Sequence, residues 1–136
     1  MNENQQPIVP QPIVPPVVIN PKISYDDFAK VEIKAGKILS AEKIPDTDKL
    51  LKLSVDFNEK DGMGNFKPRQ IVSGISMYFP DPSVLIGRVC MFVTNLEPRM
   101  IKGFESNGML FALSTTEGNF SLLEPNNTIP VGTKAK

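Results

Sequence analysis

The chain has 136 residues, the usual size of one domain, and its 15 Lys and Arg residues balance 15 Asp and Glu residues. It has no His and one Cys, which excludes a Ser-His-Asp triad, a Cys-His dyad, a His-ligated metal site and an intrachain disulfide. A net charge of zero by itself predicts no class of partner.

Proline is concentrated at the N-terminus. Six of the 13 prolines fall within residues 1–21, where the sequence QPIVP of residues 6–10 is repeated at once in residues 11–15. Proline at this density disfavours helix and sheet interiors and favours extended polyproline II. We expect residues 1–23 to form a linker or tail. The Pro-x-x-Pro spacing also suits a ligand for an aromatic groove, although no flanking Lys or Arg orients it.

The apolar residues do not predict a membrane protein. No stretch approaches the roughly 18 consecutive apolar residues of a membrane span, and no basic segment with an apolar core and cleavage site begins the chain. We expect a cytoplasmic protein without a membrane partner. The single Cys90 lies in an apolar run, which fits a reducing compartment and a buried, packing role.

The first predicted elements are a helix and a bent strand. We expect Ser24 to be the N-cap of one short helix, with Asp27 at the third helical position, where a carboxylate stabilises the N-terminus of a helix. From Val31 the apolar residues recur at every second position, which predicts a strand. Gly36 breaks this alternation, so we expect a β-bulge there and a first strand that bends.

The second strand has the cleanest pattern in the chain. In residues 51–57, Leu, Leu, Val and Phe alternate with Lys, Ser and Asp, which predicts a strand buried on one face. Residues 58–64 contain Asp-Gly and a second Gly, which predict a turn. A third strand is expected over about 66–75.

The second half of the predicted domain completes a small barrel. Residues 76–87 contain two Pro and one Gly and have room only for a short helix or a loop. The almost continuously apolar residues 89–96 predict a strand covered on both faces, and residues 109–113 predict a fifth strand. Five strands with a helix-capable link between the third and fourth predict an all-β closed barrel.

Catalytic and metal-binding patterns are weak. Asp46 and Asp48 are close enough in sequence to suggest paired acids, but Asp after Pro is ordinary turn chemistry. The Gly and Glu that a calcium loop requires are absent, as are a Gly-rich phosphate loop and a dinucleotide-binding glycine fingerprint. We expect no catalysis, metal or cofactor.

Basic residues occur where the predicted strands begin or turn over. They are Lys34, Lys37, Lys49, Lys52, Arg69, Arg99 and Lys102. If barrel closure brings them to one side, they form an electropositive track despite the neutral total. Alternatively, they are solvated edge charges interleaved with Glu32, Asp56 and Glu97. Their spacing alone does not choose between these two interpretations.

Four short motifs resemble those of a known family. They are DKL at 48–50, RQIVSG at 69–74, NLEPR at 95–99 and GFESNGM at 103–109. In this order they resemble the tRNA-binding OB-fold domain. That domain is found at the C-terminus of bacterial methionyl-tRNA synthetases, in free-standing tRNA-binding proteins and in eukaryotic cofactors of synthetase complexes.

The resemblance implies an architecture and a function. It implies a five-stranded OB-fold barrel over residues 24–113 and a C-terminal extension over 114–136 that builds a homodimer. The apolar residues of that extension are not needed by a closed five-stranded barrel. The barrel would bind structured tRNA through shape and backbone. Methionine-tRNA ligase activity would belong to a larger synthetase, whose catalytic part would then be a partner.

The resemblance also implies a binding surface. Position by position, it consists of Lys49, Lys52, Arg69, Asn95, Arg99, Lys102, Ser106, Asn107 and Met109. The phosphate contacts would be Lys49, Arg69, Arg99 and Lys102. The Asn and Ser side chains would bond to sugar or base edges, and Met109 would give a soft apolar contact. The alternatives are that Met109 is core, Ser106 caps a turn and Arg69 pairs with Asp56.

Some residues depart from the family pattern. Glu97 and Met100 occupy positions where Lys or Arg is common, so we expect weak, salt-sensitive binding. Glu59 and Asp61 in the 58–64 loop would repel phosphate, so we expect that loop to lie off the RNA path. The alternative function is a peptide-binding, export-chaperone-like interaction module of the same fold.

Overall fold

The computed structural model describes residues 20–136. The proline-rich tail predicted for residues 1–23 therefore lies, except for its last four residues, outside the described residues. Among residues 20–136 no helix has the length and apolarity needed to cross a membrane. The elements are α1 (Tyr25–Ala29), β1 (Ile33–Lys43), β2 (Leu51–Asp56), β3 (Arg69–Ser73), 3₁₀ helices Ser76–Tyr78 and Pro82–Leu85, β4 (Val89–Val93), β5 (Arg99–Ile101), β6 (Phe104–Ser106), β7 (Met109–Leu110), β8 (Ala112–Ser114) and β9 (Phe120–Leu122).

The short N-terminal helix forms where the cap predicts it. The Ser24 side-chain oxygen accepts a hydrogen bond from the backbone N–H of Asp27 at 3.0 Å. This bond satisfies one of the amide groups that a helix start leaves unpaired. The predicted N-cap and helix are confirmed, and all five helical residues are exposed.

The main sheet has five antiparallel strands in the order β3-β2-β1-β4-β7. The first part of β1 pairs with β4, and its second part pairs with β2. The register shifts between Ile38 and Ser40, so the bulge lies at Leu39. The prediction of a bent strand is confirmed, but its placement of the bulge at Gly36 is wrong.

Close packing explains why residue 36 is glycine. Gly36 stays in regular register opposite Cys90 on β4. A Cβ at Gly36 would lie 2.5 Å from Phe57 Cε1 and 2.6 Å from Val55 Cγ1. The break in alternation at this position therefore marks a place where an aromatic ring crosses the strand, as glycine in a strand often does.

The core lies inside the barrel. Leu51, Leu53 and Val55 of β2 are completely buried, which confirms the alternating pattern. The rings of Phe57 and Phe92 meet edge to face at 5.2 Å between centroids. This arrangement is the favourable geometry for an aromatic pair.

Closure of the barrel uses backbone and side-chain bonds between β3 and the β6–β7 segment. The Asn107 amide donates to the Gln70 carbonyl at 2.8 Å. The Gln70 side-chain amide donates to the Glu105 carbonyl at 3.0 Å. The predicted all-β five-stranded barrel is confirmed, and the short helical link between its third and fourth strands consists of the two 3₁₀ helices.

Three predicted boundaries differ from the structure. The third strand is shorter than the expected 66–75 and the fourth shorter than 89–96. The expected fifth strand, 109–113, is divided into β7 and β8, which pair with different partners. Apolar composition predicts burial, but it does not indicate which neighbour a strand will pair with.

The C-terminal extension packs on its own barrel. Leu122 is part of the hydrophobic core. Residues 132–135 bond to β1, where Gly132 donates to the Ala35 carbonyl and Ala135 donates to the Ile33 carbonyl. The expectation that the apolar residues of this extension are not needed by the barrel is therefore wrong for Leu122.

Candidate nucleic-acid interface

The β5–β6 hairpin is the centre of the candidate site. Ile101 pairs with Phe104, and Lys102 and Gly103 form the two-residue turn between them. Both turn residues have positive φ, 51° and 85°, as a type I′ turn requires. The turn exposes the Lys102 side chain at the tip of the hairpin.

The loop between β1 and β2 meets this tip. Lys49 and Lys102 line the same cavity of about 320 Å³, together with Asp46 and Asp48. The Lys49 carbonyl accepts a hydrogen bond from the Ser76 amide at 3.0 Å, which anchors the end of the loop. Two predicted phosphate contacts that lie far apart in the sequence are thus brought together.

Lys52 packs against the hairpin from below. Its ammonium nitrogen lies 4.8 Å from the centre of the Phe104 ring, which places it in cation–π contact. The same nitrogen lies 3.4 Å from a carboxylate oxygen of Glu42. Lys52 therefore belongs to the site, but its charge is partly neutralised by Glu42 on the neighbouring strand β1.

A second, smaller cavity lies at the base of the hairpin. It has a volume of about 90 Å³ and is lined in part by Arg99, Ser106 and Met109. Met109 is 47% exposed, so the alternative that it is a core residue is wrong. We call this space the Arg99 cavity.

Ser106 and Asn107 hold the hairpin against β3. The Ser106 hydroxyl is buried, accepts from the Val72 amide at 3.0 Å and reaches the Gly108 carbonyl at 3.4 Å. The Asn107 amide bonds to Gln70 as described above. Ser106 thus supports the surface from within, while the Asn107 side chain is half-buried beside it.

Seven of the nine predicted residues lie on or beside the hairpin. We call this group the hairpin surface: Lys49, Lys52, Arg99, Lys102, Ser106, Asn107 and Met109. The structure places the other two predicted residues elsewhere.

Arg69 lies on the face of β3 opposite to the one that carries Val72. It pairs with Val55, whose side chain points into the barrel, whereas Val72 pairs with Lys52 three positions further along β3. Both Arg69 Nε and Nη2 donate to the Glu59 carboxylate at 2.7 Å, and Nη1 donates to the Thr94 carbonyl. Only 14% of the Arg69 side chain is exposed.

The partner of Arg69 differs from the expected one. The sequence alternative was Asp56, but the structure pairs Arg69 with Glu59. The hydrogen bonds from Arg69 hold the pKa of Glu59 below its usual range, against the opposing effect of burial. The guanidinium is also 5.3 Å from the Phe57 ring.

Asn95 clamps the segment before β1. Its side-chain oxygen accepts from the Glu32 amide at 2.7 Å, and its side-chain nitrogen donates to the Lys30 carbonyl. Both ends of the amide group are therefore engaged within the protein. The Asn95 side chain therefore links the end of β4 to the segment just before β1.

The hairpin surface carries charges of both signs. Among residues 20–136, the salt bridges do not include Lys49, Arg99 or Lys102. Acidic side chains nonetheless line both cavities, namely Asp46, Asp48 and Glu97. Barrel closure therefore produces a cluster of free cations with acids at its margins rather than a purely positive track.

Phe104 and Gln70 belong to this site, although the sequence analysis placed them in family motifs without assigning either a binding role. Phe104 lies in a three-residue strand too short to show alternation, and its only sequence signal is its place before the Glu-Ser motif. Gln70 closes the barrel through both its backbone and its side chain, as described above. Long-range pairing of this kind has no local sequence signal.

The chain matches a known family. The family model described as "Putative tRNA binding domain" matches residues 33–134. The methionine–tRNA ligase of Methanospirillum hungatei is 47% identical over 116 residues, and that of Myxococcus xanthus is 49% identical over 108 residues. These matches cover 85% and 79% of this chain but only 16% and 14% of the ligases.

Two solved structures are also similar. A methionyl-tRNA synthetase-related protein from Pyrococcus horikoshii aligns with a TM-score of 0.73 and 38% identity, over 86% of this chain and all of that chain. The chaperone CsaA from Bacillus anthracis aligns with a TM-score of 0.69 and 27% identity, over 85% of this chain and all of that chain.

Proposed function

Because this chain belongs to the tRNA-binding domain family, we propose that it is a non-catalytic module that binds tRNA through the hairpin surface. The chain spans about a sixth of the length of the first-named ligase relative. Aminoacylation by that relative depends on a protein far larger than this chain. The proposal therefore concerns binding alone.

The convergence of Lys49, Arg99 and Lys102 around one exposed hairpin carries this proposal. All three side chains belong to exposed residues. Cationic side chains on a short hairpin can follow the phosphates of a folded RNA without reading its bases. A rigid barrel beneath them would favour RNA of matching shape.

The number of free cations predicts a modest affinity. Three phosphate contacts would give a slope of about −2 to −3 in a plot of log affinity against log salt concentration. The nearby acids oppose phosphate binding, and Lys52 already faces Glu42. We therefore expect binding that is clear at low salt and weak near physiological ionic strength.

The test is binding of bulk tRNA at low and moderate salt by gel shift or filter retention. Charge reversal at Arg99→Glu with Lys102→Glu should weaken low-salt binding at least tenfold and leave folding intact, because exposed charges rarely affect stability. The matched control is Lys60→Glu with Lys67→Glu, an equal charge change in the exposed loop between β2 and β3. Equal loss in both variants, or no loss in either, would remove the hairpin surface from the site.

A second candidate function is peptide binding. The similarity to the chaperone CsaA supports it, as does an exposed apolar groove of about 450 Å³ beside α1, lined in part by Tyr25, Phe28 and Val31. Binding of apolar peptides without a salt-sensitive tRNA shift would favour this function. The 38% identity to the synthetase-related protein favours tRNA binding.

Two further parts of the proposal concern assembly. We propose that the chain forms a homodimer through its C-terminal extension. Leu113, the residue just before the extension, is 62% exposed and lines a cavity of about 460 Å³ together with residues of the extension. Two weak sites on one dimer would raise the avidity for tRNA. We also propose that it works in the cytoplasm, alone or with the catalytic part of a methionyl-tRNA synthetase.

A further inference from the structure

The Arg99 cavity has a lining that phosphate binding does not explain. Leu96 and Met109 lie on its walls and are 46% and 47% exposed, and Val72 is among its lining residues and is 7% exposed. Half-exposed aliphatic and thioether groups around a concave space suit the flat face of a nucleobase better than a charged group.

The two charged residues that line this cavity, Arg99 and Glu97, have opposite charges. Arg99 has a planar guanidinium, whose N–H groups can bond to a phosphate while its flat face stacks on the neighbouring base. Glu97 is an acceptor only, and it repels phosphate. A carboxylate in a nucleic-acid site is favourable where it accepts from base amino groups, such as N4 of cytosine.

The cavity is already formed in the free protein. Ser106 holds its β3 side through the bond from the Val72 amide. Gly108 has a φ of 137°, and a Cβ there would lie 3.0 Å from Ile71 Cδ1 and 3.1 Å from the Val93 carbonyl oxygen. The backbone therefore packs tightly behind the cavity, and little ordering is needed when a ligand binds.

We propose that the Arg99 cavity binds one unpaired RNA base that carries an exocyclic amino group, with Glu97 accepting from that group. This inference rests on the proposed tRNA-binding function and adds a base preference to it. Uracil has a carbonyl oxygen where cytosine has its amino group, so the Glu97 carboxylate disfavours uracil. The 2′-hydroxyl groups can also donate to Glu97, but they occur in every nucleotide and do not distinguish bases.

The experiment compares single-stranded hexamers of cytidine and uridine by fluorescence anisotropy at low salt, with bulk tRNA measured in parallel. The unmodified protein should bind the cytidine hexamer about tenfold more tightly, since one charge-assisted hydrogen bond is gained and one repulsion avoided. Glu97→Gln should reduce this preference below threefold and strengthen binding of the uridine hexamer, because a negative charge is lost.

The matched control is Glu117→Gln, which removes the same charge from an exposed turn between β8 and β9. It should leave the preference unchanged. Equal affinities for the two hexamers in the unmodified protein, with tRNA binding intact, would overturn the base-binding inference alone. A preference that survives in Glu97→Gln would also overturn it. Absence of binding to every RNA, including tRNA, would overturn the proposed function as well.

Discussion

Replacing Arg69 by Met separates a structural role from a phosphate contact. Met keeps an apolar stem but removes the two donors to Glu59 and the donor to Thr94. Removing one partner of a fully buried ion pair costs about 3–5 kcal/mol. Glu59 keeps 27% of its side-chain surface in water. We therefore expect a smaller loss of about 2–3 kcal/mol.

The stability loss is measured by urea unfolding at several pH values. In a thermal unfolding experiment, a free energy of unfolding lower by 2–3 kcal/mol would appear as a decrease in Tm of roughly 8–12 °C for a domain of this size. Because the folded pKa of Glu59 is lowered, its ion pair stabilises the protein above the ordinary Glu pKa and is lost as pH falls through the folded pKa. The difference between the two proteins should be largest at pH 7 and shrink below about pH 4.

Binding of tRNA is then measured under conditions in which the variant is folded. The salt slope should be unchanged for Arg69→Met, since Arg69 lies away from the hairpin surface. Lys102→Met is the control, and it should lower the slope by about 0.7–0.9 with little change in stability. If Arg69→Met alters stability by less than about 0.5 kcal/mol, or lowers the slope as Lys102→Met does, our reasoning about Arg69 is refuted.

Two further predictions concern packing and assembly. Gly36→Ala should destabilise the fold by about 1–3 kcal/mol in urea unfolding, because its Cβ would overlap the Phe57 ring, whereas Gly62→Ala, with open space around it, should not. Leu113→Glu should convert a dimer to a monomer in sedimentation velocity, while Met63→Glu, on an 88% exposed loop residue, should not, and a dimer that persists in Leu113→Glu would exclude that face.

Truncation of the chain after Leu113 would not test the dimer cleanly. Leu122 belongs to the core, and residues 132–135 complete the edge of β1 through bonds to Ala35 and Ile33. Removing them would destabilise the barrel together with any interface. A single exposed side chain is therefore the better probe of the dimer.

Local patterns in the sequence determined much of the barrel. The alternation in residues 51–57 identified β2 because one face of that strand is buried, and Ser24 identified α1 because a hydroxyl group can satisfy its first amides. The family motifs also located the hairpin surface, since they include residues of both cavities. These features depend on residues that are close together in the sequence, either in a single element or in a short motif.

Contacts between distant residues were decided only by the tertiary structure. Whether Arg69 faces RNA or Glu59 depends on the path of the loop between β2 and β3. A glycine at position 36 is needed because the ring of Phe57, the residue just after β2, crosses it. The net charge of the sequence is zero and therefore does not indicate a basic surface. Only the folded structure shows that Lys49 and Lys102 share a cavity. The physical reason is that barrel closure joins strands far apart in sequence, and periodicity shows which face is buried but not which residues meet there.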